Sequence, residues 1–193
     1  MVLGEYLQRS PVPGQGNRTC YNPGMTVGTR KQITVFTDGA CIDNPGPGGY
    51  GAVLLSGRHR KELSGGFRHT TNNRMELMAA IVALESLKFP CHVTLYSDSA
   101  LLVRAMEEGW LQKWQKKGWK RGKKWVLNAD LWQRLHAARR QHEVTFIWIK
   151  GHAGNRGNER ADFLSMQAAQ GSDLAVDTAY EAGTTEKKPP SLF

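Results

Sequence analysis

Apolar and polar residues alternate from Gln32 to Asp38, with Ile33, Val35 and Thr37 on one side and Thr34, Phe36 and Asp38 on the other. β-Branched and aromatic residues on both sides predict a central strand covered on both faces. The turn-forming run Asn44-Pro45-Gly46-Pro47-Gly48-Gly49 separates it from two further strand patterns, Tyr50 to Ser56 and Lys61 to His69, and so predicts an antiparallel meander. Helical spacing follows from about Arg74 to Leu87, then a strand from His92 to Ser97 and a helical stretch around Ala100 to Met106. Beyond a basic segment, Ala129 to Arg140 is helical in pattern, Val144 to Ile149 a strand, Gly151 to Gly157 a loop and Glu159 to Ala169 a last helix. Three consecutive strands followed by strands alternating with helices predict an α/β domain. Its sheet is mixed and five-stranded, an antiparallel meander plus two parallel strands, with helices on both faces. No stretch of the chain repeats another.

Both ends depart from this pattern. Residues 1–30 hold Pro11, Pro13, Gly14, Gly16, Pro23, Gly24 and Gly28 among scattered apolar positions without a period, and are expected to form a flexible extension. The stretch 171–193, above all Ala175 to Phe193 with Gly183, Thr184, Lys187, Lys188, Pro189 and Pro190, is expected to be a disordered tail. A single folded domain over residues 31–170 remains.

Charge sharpens the picture. The chain has 193 residues, with 26 Lys and Arg against 17 Asp and Glu, a formal net charge of +9. Lys113, Lys116, Lys117, Lys120, Arg121, Lys123 and Lys124 lie between Trp110 and Trp125 with no acidic residue among them, and removing these seven leaves +2 for everything else. A concentrated basic segment interleaved with tryptophans suits a polyanionic partner, with rings for stacking and cations for phosphates. The same segment can also be an amphipathic helix with Trp110 and Trp114 packed inward at i, i+4 and the lysines solvated; the two readings are compatible. Cys20, Cys41 and Cys91 are odd in number and widely spaced, which fits neither a disulfide framework nor a paired Cys-x-x-Cys zinc site. With no apolar run of the roughly 18 residues needed to span a bilayer, and no basic stretch followed by an apolar one at the N-terminus, a cytoplasmic protein without a membrane partner is expected.

Asp38 and Asp98 each end a strand pattern. If those strands pair in parallel, the two carboxylates lie side by side at the sheet edge where α/β proteins bind ligands, and must share a proton or hold a metal ion. Each Asp taken alone is as well read as a turn former or helix cap. Glu76 stands three residues after Asn73, the spacing of a capping box, and Asp162 falls in the first turns of the last helix, where the dipole favours a negative charge. Local chemistry leaves these alternatives open.

The motifs Phe36-Thr37-Asp38-Gly39-Ala40, Thr71-Asn72-Asn73-Arg74-Met75-Glu76, Ser97-Asp98-Ser99 and Gly151-His152-Ala153-Gly154, the last continuing through Gly157-Asn158-Glu159-Arg160-Ala161-Asp162, follow one another in the order of bacterial type 1 ribonuclease H. The resemblance runs from about Lys31 to Ala169 and includes the turn after the first strand and the Trp-rich basic segment. It implies the ribonuclease H-like fold. It also implies an endonuclease that hydrolyses the RNA strand of RNA–DNA hybrids to 5′-phosphate and 3′-hydroxyl ends, removing RNA primers and R-loop RNA. It makes Asp38, Glu76, Asp98 and Asp162 a metal-binding quartet and His152 an assisting residue near the leaving phosphate. Four oxygen ligands without a thiolate suit Mg²⁺, with Mn²⁺ as a second choice, and two ions roughly 4 Å apart would serve an in-line displacement.

For the substrate, the resemblance sets Trp110, Trp114, Lys116, Lys117, Trp119, Lys120 and Arg121 in a basic protrusion that grips the DNA strand. It lays Cys41, Asn44, Asn72 and Asn73 against the hybrid, with Thr71 near a DNA phosphate, although each could equally be a turn or cap residue. RNA is then selected through 2′-hydroxyls in the minor groove, with weak sequence preference. One departure is Ala100, where many members carry a polar residue such as Gln; its methyl can neither donate nor accept. The protein is expected to act as a monomer. The competing readings are another nuclease or strand-transfer enzyme of the same fold, and a module that binds hybrids without cutting them.

Overall fold

The strand predicted to be central is central. In the computed structural model, which describes residues 30–183, β1 (Lys31–Cys41) pairs antiparallel with β2 (Gly46–Ser56), and β2 pairs antiparallel with β3 (His59–Thr70). Helix α1 (Asn72–Glu85) returns the chain to β4 (Cys91–Ser97), which lies parallel to β1 on its other side. Next come α2 (Ala100–Glu107), α3 (Trp110–Lys116), a small hairpin of β5 (Lys120–Arg121) and β6 (Lys124–Trp125), and α4 (Ala129–Arg139). Strand β7 (Glu143–Trp148) joins β4 in parallel, and α5 (Arg156–Ala169), β8 (Leu174–Ala175) and α6 (Thr178–Glu181) complete the described chain. The sheet order is β7-β4-β1-β2-β3-β8.

Side-chain alternation explains the layers. Along β4, Cys91, Val93, Leu95 and Ser97 are buried while His92, Thr94 and Tyr96 are half-buried on the other face. The buried side joins Val35 of β1 and Met75, Leu77, Ile81 and Leu84 of α1 in the main core, which α4 closes with Leu131, Trp132 and Leu135. Helix α1 is buried nearly all round because it is packed against both the sheet and α4. On the opposite face α5 covers β1 and β2 through Val53, Ala161 and Leu164, with Phe36 and Leu55 beside them. Phe36 stacks on Tyr96 at 5.0 Å between ring centroids.

The expected five strands are therefore six in the main sheet, because β8 adds in parallel to the outer edge of β3, with Gly66 opposite Leu174 and Phe67 opposite Ala175. This corrects the expectation of disorder from residue 171 as far as residue 183. Asp177, just before α6, is buried and accepts hydrogen bonds from Thr70 Oγ1 (2.7 Å), Arg74 Nε (2.6 Å) and Arg74 Nη2 (2.8 Å). Arg74 also reaches Asp130 with a two-pronged contact of 3.1 and 2.8 Å and Asn128 at 3.3 Å. Composition misjudged this strap because its anchor is a residue 103 positions away. The expected extension over residues 1–29 and the remaining tail over 184–193 lie outside the described residues.

Two helix starts also differ. Helix α1 begins at Asn72 after an extended Thr71 that makes no side-chain cap, so Asn73 is already inside the helix and no Asn73–Glu76 capping box forms. Helix α5 begins at Arg156, three residues earlier than expected, because Asn155 Oδ1 accepts from the backbone N–H groups of Gly157 (3.0 Å) and Asn158 (3.2 Å). Asp162 consequently stands at the end of the second turn, beyond the first turn where the helix dipole acts most strongly.

Candidate active site

The parallel register of β1 and β4 sets Thr37 opposite Ser97, so Asp38 and the residue after β4, Asp98, emerge as neighbours at one end of the sheet. Glu76 reaches them from α1 because Gly39 has no side chain: a Cβ there would lie 2.2 Å from the backbone nitrogen of Glu76. Any larger residue would push α1 off the strand. Oxygen atoms of Asp38, Glu76 and Asp98 lie within 4.8 Å of one another, the first two carboxylates buried and the third partly exposed. Asp162 is not part of that cluster, although its charge acts on Asp38 from α5.

Three carboxylates this close cannot all be ionised in isolation. Burial, chiefly, raises Asp38 to about 7; the Ser165 hydroxyl opposes the rise, and the charges of Asp98 and Asp162 add to it. Burial likewise holds Glu76 well above the usual carboxylate range, with the charges of Asp38 and Asp98 adding to the effect, while the Asn72 side chain and the Gly39 backbone pull it down. Glu76 Oε2 is buried without a hydrogen-bond partner. An orphaned carboxylate oxygen on a residue clustered with two further carboxylates fits a divalent cation, which would replace protons as the neutralising charge. The cluster can hold such an ion.

The other predicted residues fall at the end of β1 and in the turn after it, at the start of α1, in the basic segment and in the loop after β7. His152 follows Gly151 in a loop, has a positive φ of 51°, and is 79% exposed with Nδ1 3.9 Å from Asp162 Oδ2. Asn44 Oδ1 accepts from the Asn72 backbone N–H at 3.1 Å, joining the turn after β1 to the start of α1. Asn72 Nδ2 approaches Glu76 Oε1 at 3.5 Å. The Cys41 sulfur faces the carbonyls of Thr70 (3.5 Å) and Gly46 (3.6 Å), and Thr71 forms the extended entry to α1. Ala100 is exposed at the first position of α2, with Ser99 as its cap.

The packing half of the reading of the basic segment is visible directly. Trp110, Trp114 and Trp119 are partly buried against the core, with Trp110 and Trp114 5.8 Å apart and Trp114 edge-on to Trp132 at 5.3 Å. Lys116, Lys117, Lys120 and Arg121 are exposed. A groove of about 470 Å³ is lined by Trp110, Trp114, Arg121 and Lys124 of this segment together with Asn73, Leu101 and Trp132. Asn73 stands three residues before Glu76 on α1.

Two residues that pattern reasoning passed over also touch the site. Ser165 Oγ lies 2.7 Å from Asp38 Oδ2, and the Trp148 indole N–H donates to the Asp98 backbone carbonyl at 3.1 Å. A small residue in a helix and an aromatic at a strand end carry no local signal of such contacts.

A mixed sheet with carboxylates clustered beyond its central parallel strands defines an α/β protein with a candidate cation site. The family described as RNase H matches residues 30–170. The chain is 56% identical over 161 residues to a ribonuclease H of Syntrophus aciditrophicus (strain SB), covering 82% of this chain and 93% of that one. It is 57% identical over 157 residues to a ribonuclease H of Lachnoclostridium phytofermentans, covering 78% and 99%. Among solved structures it is similar to LC9-RNase H1, a type 1 RNase H with the type 2 active-site motif, with a TM-score of 0.67, 29% identity and coverage of 83% of this chain and 76% of that one. It is also similar to LC11-RNase H1 in complex with an RNA/DNA hybrid, with a TM-score of 0.54, 26% identity and coverage of 77% and 99%. The chain belongs to the RNase H family, in its bacterial type 1 form.

Proposed function

We propose that this protein hydrolyses the RNA strand of RNA–DNA hybrids, with residues 31–170 as the catalytic domain. The observation that carries the reading is the convergence of Asp38, Glu76 and Asp98 in a chain of this family. In this reading Asp38, Glu76, Asp98 and Asp162 hold Mg²⁺, or Mn²⁺ in its place, as two ions in the catalytic complex. Bound divalent ions supply Lewis-acid activation of water and neutralisation of charge on the leaving oxygen. The chain's own residues do the rest. The carboxylates fix where the scissile phosphate sits, Asn44, Asn72 and Asn73 offer amides to the minor groove, and Cys41 and Thr71 shape the adjoining backbone. Exposed lysines of the protrusion neutralise the DNA strand, and Trp110, Trp114 and Trp119 give that surface a rigid base. His152, exposed and beside Asp162, moves a proton or speeds product departure. The protein works as a monomer in the cytoplasm on primers and R-loops.

The deciding assay offers labelled RNA–DNA hybrid, double-stranded RNA, double-stranded DNA and a four-way junction in Mg²⁺. Cutting of the RNA strand in the hybrid alone is expected, with 5′-phosphate ends. Junction cutting would point to a different nuclease of the fold, and binding without cutting to a non-cleaving module.

The protrusion and the loop histidine each have a separate signature. Exchanging Lys116, Lys117, Lys120 and Arg121 for Ala is expected to raise KM and to reduce the salt slope of binding by about one unit per lost phosphate contact. An unchanged slope would remove these residues from the interface. His152→Ala is expected to slow turnover about a hundredfold, the low end for a positioned acid or base, while the Mg²⁺ concentration giving half-maximal rate stays put. Loss of metal binding in that variant would make His152 a ligand instead.

A further inference from the structure

Ser165 lies on α5, three residues beyond Asp162, and is fully buried. Its hydroxyl oxygen is 2.7 Å from Asp38 Oδ2 and 2.8 Å from the backbone carbonyl oxygen of Asp162. One hydroxyl carries one proton and can donate to only one of these at a time. When Asp38 is ionised, its carboxylate is the stronger acceptor and takes the bond. The contact depends on how near α5 approaches the sheet. A Cβ on Gly49 would fall 2.3 Å from the Ser165 carbonyl oxygen, and one on Gly51 would fall 2.8 Å from its nitrogen. Two glycines in β2 thus let the Ser165 side chain reach across to β1.

From this geometry we propose that Ser165 is a positioning residue for the cation site: by occupying Oδ2 it holds the Asp38 carboxylate in one orientation, leaves the other oxygen for a divalent ion, and ties Asp38 to the helix that carries Asp162. The proposal rests on the reading of Asp38 as a metal ligand. Carboxylates that bind metals are themselves held by hydrogen bonds, and losing such a partner weakens binding or activity by about 10- to 100-fold. Ser165→Ala removes the donor without adding volume and leaves a buried anionic oxygen unpartnered.

The test is a calorimetric titration of the full-length protein with Mg²⁺ and with Mn²⁺, without nucleic acid, alongside the Mg²⁺ dependence of cleavage. Ser165→Ala is expected to bind about tenfold more weakly and to need about tenfold more Mg²⁺ for half-maximal rate, while KM for hybrid at saturating Mg²⁺ moves less than about twofold. Ser165→Cys, nearly the same size but a weak donor, should fall between the parent and Ser165→Ala. A merely structural role would lower the melting temperature with and without metal and leave the titration midpoint alone, and that result would overturn the proposal. Asp38→Asn, titrated in parallel, separates the two layers. Parent-like binding by Asp38→Asn would sink the ligand reading itself, whereas lost binding there with parent-like binding by Ser165→Ala would sink only the role given to Ser165.

Discussion

Asp38→Asn is expected to reduce cleavage by about a thousandfold or more and, at the same time, to make the metal-free protein more stable. On the proposed reading of Asp38 as a ligand, the loss follows from removing a negative charge where divalent ions would be worth several kcal/mol to the transition state, at about 1.4 kcal/mol per factor of ten. The gain follows from the raised pKa of about 7 that burial gives Asp38. Because the folded protein holds this proton more tightly than the unfolded chain does, stability from this group is complete at low pH. It is lost progressively as pH rises from about 4 to about 7. Above that range the ionised, metal-free Asp38 is a liability of about 2 to 4 kcal/mol, which an uncharged amide of the same shape relieves. Thermal melts in EDTA at about pH 5 and pH 8, repeated with Mg²⁺, test both halves. The parent should lose stability between the two pH values and regain it with Mg²⁺, and the variant should be flatter in both respects. A variant less stable than the parent at the higher pH in EDTA would contradict the electrostatic account.

The second large effect lies away from the chemistry. Asp177→Ala is expected to destabilise the fold by about 3 to 5 kcal/mol, the cost of stripping one partner from a buried ion pair. Arg74 and Asp177 side chains are only 1% and 5% exposed, and Thr70 would lose its acceptor as well. For a domain of this size the melting temperature should drop by about 6 to 20 °C. Chemical denaturation gives the free energy directly. A loss under about 1 kcal/mol would show that Asp130 alone satisfies Arg74, leaving the strap as decoration.

The carboxylate edge was legible in the sequence to different depths. Asp38 and Asp98 could be set side by side on the condition that their strands pair in parallel, and the register Thr37 to Ser97 meets that condition. Glu76 could not, since its spacing from Asn73 served a helix cap equally well; only its burial and the close packing at Gly39 decide the matter. Asp162 was misplaced along its helix because Gly157 reads as a loop residue. Its actual task is contact, since a Cβ there would lie 2.4 Å from the Phe36 ring. Family resemblance supplied what local patterns left open for Glu76 and Asp162. The strap, Ser165 and Trp148 depend on partners dozens of residues away, and no window of sequence contains both members of those contacts.

The Arg74 network also imposes an order on synthesis. Arg74 finds Asp130 after 56 further residues and Asp177 only after 103. At about 5 to 20 residues per second, the corner between β3 and α1 therefore waits about 5 to 20 seconds for its last counter-charge. Until the segment bearing Asp177 leaves the ribosome, Arg74 has its Asp130 partner but not its Asp177 partner. A nascent chain has Asp38, Glu76 and Asp98 long before it has the clasp that locks Arg74 beside them.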